Sequence, residues 1–105
     1  MSPDPRTRIV AYVPDLMDRS KVEAAGDCVF ASRPDDLPAL SASADVVVVD
    51  LTRPGVVDVL PEIEGRVIGF ANHTARDVMA AARDAGCEQV LKRSVFFARI
   101  GEVLG

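Results

Sequence analysis

The chain has 105 residues, 49% of them hydrophobic, no tryptophan and a formal net charge of −4, so it fits one domain over 1–105 with a single core. The acidity disfavours binding to nucleic acid or to an anionic membrane, since both need clustered Lys and Arg. No apolar run approaches the ~20 residues that span a bilayer, and the polar start Ser2–Arg8 lacks a signal-peptide apolar segment, so a cytoplasmic protein is expected.

The Pro-rich stretch Met1–Thr7 is expected to fray. Beyond it, short apolar runs alternate with helical segments, the pattern of a parallel sheet covered by helices on both faces. The first strand is expected at Ile9–Val13. Asp15 can cap the helix that follows, with Gly26 after it. The second strand is expected at Cys28–Ala31. Pro38 then falls inside the second helical segment and shortens or breaks it, because proline removes a backbone donor and clashes with the preceding turn.

The third strand, Asp45–Leu51, is the strongest, since four consecutive valines suit an extended chain buried on both faces. It is expected at the centre of the sheet. Pro61 interrupts the third helical segment as Pro38 does the second. After a fourth strand at Val67–Ala71, Thr74 stands three residues before Asp77 in a capping-box arrangement, and Gly86 follows Val78–Ala85 as a left-handed stop would. A fifth strand is expected at Gln89–Leu91. Ser94 can cap a last helix in which Phe96, Phe97, Ile100, Val103 and Leu104 recur at helical spacing.

Cys28 and Cys87 are the only cysteines, too few for a disulfide scaffold and without zinc-site spacing. Both read as small buried hydrophobes that do not pair. In an open parallel sheet ligands collect at the carboxyl ends of the strands. The residues there are Pro14 and Asp15, Asp50 through Pro54, Asn72 to Thr74, and Lys92 to Ser94. No glycine-rich turn follows the first strand to seat a dinucleotide or flavin phosphate. His73, the only histidine, has no nucleophile arranged with it and reads as a loop residue.

Three stretches together resemble response-regulator receiver domains: Val10-Ala-Tyr-Val-Pro-Asp15, Asp45-Val-Val-Val-Val-Asp50-Leu-Thr-Arg-Pro54, and Ala80-Ala-Ala-Arg-Asp-Ala-Gly86-Cys-Glu-Gln-Val-Leu91. The resemblance implies a flavodoxin-like, doubly wound five-stranded parallel sheet in the order 2-1-3-4-5. It makes Asp50 the phosphoacceptor candidate and gives Asp15, Asp50 and the Thr52 carbonyl as the ligands of a magnesium ion. The chain also departs from the family pattern. Pro14 stands where one of two adjacent acids is expected, Ala71 where a hydroxyl residue is expected, Arg93 where a lysine is expected, with Lys92 one residue early, and Ser94 where a proline is expected.

Those departures describe a degenerate, pseudo-receiver: a signalling or interaction module, not an enzyme, with no cofactor beyond weak magnesium binding. Its expected partner is a protein or a second copy of the chain. The candidate surface is Val78–Ala85 with Val95–Leu104, centred on Val78, Ala82, Phe96 and Phe97. The alternatives are a working receiver of a two-component system phosphorylated on Asp50, and a small-ligand or enzymatic domain of the same fold. Asp50 reads either as a phosphoacceptor or as a strand-end carboxylate bonded to backbone amides or to Arg93.

Overall fold

The computed structural model describes residues 7–104. Five parallel strands, β1 (Arg8–Tyr12), β2 (Asp27–Phe30), β3 (Val46–Asp50), β4 (Val67–Ala71) and β5 (Gln89–Lys92), lie in the order β2-β1-β3-β4-β5. Both the count and the order are those expected. β3 is central and every one of its residues is buried, as four β-branched side chains covered on both faces require. Met1–Arg6 lie outside the described residues. The expected fraying does not extend to Thr7, whose carbonyl accepts a hydrogen bond from the Asp27 amide at 3.0 Å.

The helices divide between the faces. On one, α2 (Leu37–Ser41), α3 (Val56–Val59) and α4 (Arg76–Asp84) cover Val10, Val47, Val49, Val67 and Ala71. On the other, α1 (Leu16–Glu23), α5 (Arg93–Ala98) and α6 (Ile100–Leu104) cover Ile9, Ala11, Val46, Val48, Ile68 and Phe70. Alternate residues of each strand therefore serve opposite cores, as the two-residue period of a strand dictates. The prolines act as expected: Pro38 sits in the first turn of a five-residue helix, and Pro61 lies in the 3-10 turn Leu60–Glu62 that ends α3.

Three helix boundaries differ from expectation. Thr74 does not cap α4: Ala75 holds the N-cap position, without a side-chain hydrogen bond. Ser94 lies inside α5, whose N-cap is Lys92, again uncapped by a side chain. The last helix is also split, because Arg99 leaves helical geometry at φ −124° and ψ 25°. Gly86 follows α4 at φ +104° and is the left-handed stop expected. Gly26 is not such a stop; a Cβ there would lie 2.9 Å from the Thr7 carbonyl oxygen. Gly69 answers to packing, since a Cβ on it would meet the Leu51 side chain at 2.7 Å where that residue folds back over β4.

Cys28 and Cys87 are both free. They belong to opposite cores, and burial pushes each thiol up to about 11, with Glu23 and Asp27 adding to the effect at Cys28.

Candidate functional site

At the carboxyl ends of β1, β3, β4 and β5 the chain forms an open pocket of ≈ 380 Å³, lined by Asp15, Asp18, Asp50, Thr52, Arg53, Pro54, Phe70, Asn72 and Arg93. Three carboxylates face two guanidiniums there. The pocket lies where a doubly wound sheet places its ligand sites, between the strands whose connections leave in opposite directions.

Asp50 ends β3 with only 6% of its surface exposed. Its Oδ1 accepts from the Thr52 amide at 3.1 Å and from the Thr52 hydroxyl at 2.6 Å, and its Oδ2 accepts from Arg53 Nε at 3.4 Å. A buried carboxylate must be matched by donors, and residues two and three positions along the same loop supply them. Of the two bonding patterns considered for Asp50, the backbone amide is present. Arg93 does not donate to it.

Asp15 caps α1 as expected, its Oδ1 accepting from the amides of Met17 at 2.9 Å and Asp18 at 3.1 Å. The Asp18 amide, with help from that of Met17 and from the charges of Arg93 and Arg53, holds the Asp15 carboxyl below its ordinary value of 3.8 against the opposing effect of burial.

Arg93 pairs with Asp18. Its Nη1 and Nη2 donate to the two oxygens of the Asp18 carboxylate, a bidentate fork between the start of α5 and the first turn of α1. The Asp18 side chain is 0% exposed and that of Arg93 is 39% exposed. The guanidinium also lies 5.1 Å from the Phe97 ring centroid and 5.9 Å from that of Phe70. The hydrogen bonds that Arg93 donates to Asp18 raise its pKa, as do the charges of Asp18, Asp15 and Asp50, against the opposing effect of burial.

Of the other residues singled out, Asn72 lines this pocket, while His73, Lys92 and Ser94 border a smaller recess beside it with Asn72 and Arg93. Pro14 faces a separate depression with Tyr12 and Arg19. Ala71 is buried in the core beneath α4 and takes no part in the pocket. Asp18 and Phe70 escaped the sequence reading, and Arg53 was given no role. The signal for Asp18 was its place four residues before Val22, on the one buried stripe of α1.

The implied magnesium ligands do not fit a tight site. Both oxygens of Asp50 and Oδ1 of Asp15 already accept hydrogen bonds, and Pro14 adds no carboxylate. Among the described residues no three His, Cys, Asp or Glu side chains are grouped to hold one metal ion.

The expected contact surface also needs correction, because Ala82 and Phe96 are fully buried. Ala82 packs against the sheet. Phe96 stacks on Phe70 with centroids 5.0 Å apart, and Phe97 meets both rings edge-on. Val78 and Phe97 stay partly buried. The large apolar side chains most open to solvent are Leu16 and Met17, at 75% and 74%, on the first turn of α1 beside the pocket.

No protein-family model and no curated protein matches the chain. Solved structures do match. A response regulator from Hahella chejuensis aligns with a TM-score of 0.77 at 14% identity, over 93% of this chain and 92% of that one. The phosphorylated cyanobacterial phytochrome response regulator RcpA aligns at 0.73 and 13%, over 94% and 89%. An orphan response regulator of H. pylori aligns at 0.74 and 13%, over 98% and 100%. With its strand order, its two helical layers and these alignments over nearly the whole chain, the protein has the flavodoxin-like fold of response-regulator receiver domains.

Proposed function

We propose that the protein is a signalling module of receiver type that works through contact with a partner protein while Asp50 stays unphosphorylated. The observation that carries this reading is the position of Arg93. Phosphoryl transfer needs a cation to neutralise the oxygens of the transferred group, and the guanidinium at the position of the family's lysine is committed to both oxygens of Asp18. Thr52 and Arg53 meanwhile occupy the Asp50 carboxylate, and Ala71 offers no hydroxyl to a phosphoryl oxygen. Magnesium binding in the millimolar range or weaker goes with these features. No helix among the described residues is long and apolar enough to cross a membrane, which agrees with work in the cytoplasm.

One observation favours the rival reading: Asp50 ends the central strand at the pocket, as a phosphoacceptor must, and relatives in fold include a phosphorylated regulator and a manganese-bound one. Acetyl phosphate with magnesium separates the two. The expected intact-mass spectrum shows unmodified protein. A phosphoryl adduct that disappears in Asp50→Asn would establish a working receiver.

A further inference from the structure

We infer that Arg93 is a built-in cation, standing in the pocket in place of an exchangeable divalent ion and fastening α1 to α5 without metal or phosphate. Three observations meet at this residue. The pocket collects Asp15, Asp18 and Asp50 within one cavity, a density of negative charge that calls for a counter-ion. Asp18, wholly buried, has Arg93 as its side-chain partner and receives two donors from it. The guanidinium is also braced against Phe97 and Phe70, so its plane is held where a fork-to-carboxylate contact requires.

The chemistry of the guanidinium makes the fastening permanent. It stays charged at every pH at which the protein folds, and the surrounding carboxylates raise its pKa further. An ion held by carboxylates exchanges with solvent, so its occupancy follows its concentration; a cation carried on the chain does not. The α1–α5 contact is therefore insensitive to divalent metal. This inference does not depend on whether Asp50 is ever modified, because Asp18 rather than Asp50 receives the fork.

Charge arithmetic sets the test. Three acids and two arginines line the pocket, a net charge of −1. Arg93→Gln takes it to −2 and leaves a buried carboxylate without a partner, whereas Asp18→Asn with Arg93→Gln restores −1 and removes that carboxylate. Manganese, which can keep waters between itself and the carboxylates, is titrated into the full chain and followed by calorimetry and by the shift in Tm.

Wild type is expected to show no Tm shift with manganese or with EDTA. Arg93→Gln is expected to bind manganese about tenfold or more tighter than wild type, because a competing cation is removed and a carboxylate freed, an effect of the size that groups around a metal site have on its affinity, and to gain Tm from it. The double variant returns to wild-type behaviour, and Arg93→Lys, which keeps a cation, stays unresponsive. If Arg93→Gln fails to fold alone, recovery of cooperative unfolding on refolding with manganese is the supporting result. The inference is overturned if Arg93→Gln binds no tighter than wild type, if the double variant responds as strongly as the single one, or if manganese does not restore a misfolded Arg93→Gln while the double variant folds.

Discussion

The face of the sheet under α2, α3 and α4 and the face under α1, α5 and α6 bury similar numbers of strand residues but are filled with different chemistry. The first is filled with Val, Leu, Ile, Ala and Met, and its one buried polar side chain, Ser41, donates to the Pro38 carbonyl within α2. The second adds Phe70 and Phe96, with Phe97 packed against them, and it borders the Asp18–Arg93 pair. Aliphatic burial has no direction, and two of the three helices on the first face, α2 and α3, are short and carry or run into a proline, while α4 is a regular nine-residue helix. Stacked rings and a bidentate ion pair tolerate little displacement. Accordingly the second face places α1 and α5 closely, and through them the walls of the pocket.

If that contrast is real, truncation should cost unequally on the two faces. Phe96→Ala removes a fully buried ring from a three-ring cluster and is expected to lose about 3–5 kcal/mol. Leu60→Ala, in the 3-10 turn of the aliphatic face, is expected near the low end for a buried leucine, about 2 kcal/mol, because a short turn can settle into the void. Urea unfolding of the two variants measures the difference. Equal losses would mean that the aliphatic face is packed as rigidly as the aromatic one.

How much of this was legible beforehand follows from the same contrast. Strand number, the central place of β3 and the broken helices could be read because alternation of apolar runs, the four valines of β3 and the prolines at 38 and 61 act locally or through simple burial, whereas the strand order came with the resemblance. Asp15 as a cap and Gly86 as a stop are equally local. Thr74 and Ser94 failed as caps because a capping motif states only what a side chain could do; the turn before α4 and the direct entry of β5 into α5 placed other residues at the N-caps. Asp18 was missed because a charged residue on a helix is ordinarily solvated, and only a partner 75 positions away makes its burial affordable. The contact surface centred on Val78, Ala82, Phe96 and Phe97 lost Phe96 and Ala82 to the core.

A smaller effect tests whether both cores exclude solvent alike. Cys28 borders the aromatic face and Cys87 the aliphatic one, and burial raises both thiols from 9.0 to about 11. Two units of pKa reduce the thiolate available near neutral pH about a hundredfold. Both cysteines are therefore expected to react slowly with a disulfide reagent in the native protein and rapidly in urea. Fast native labelling of Cys87 alone would show the aliphatic face opening independently of the other.

The smallest effect lies where the aromatic face meets the pocket. The Asp15 carboxyl is held below 3.8, chiefly by the Asp18 amide, so the native state binds a proton there less readily than the unfolded chain does. A depressed carboxyl stabilises the fold fully above its unfolded pKa, and the contribution fades as pH falls through that value toward the lower native one. Asn at the same position can still accept the amide hydrogen bonds of the cap but carries no charge. The stability difference between wild type and Asp15→Asn is therefore expected to favour wild type near neutral pH and to shrink as pH falls from about 5 toward about 3, the range in which a carboxyl of this kind titrates. Urea midpoints of the two proteins across that range measure it. A difference that stays constant with pH would assign the role of Asp15 to hydrogen-bond geometry alone, and would leave the negative charge that Arg93 meets in the pocket to Asp18 and Asp50.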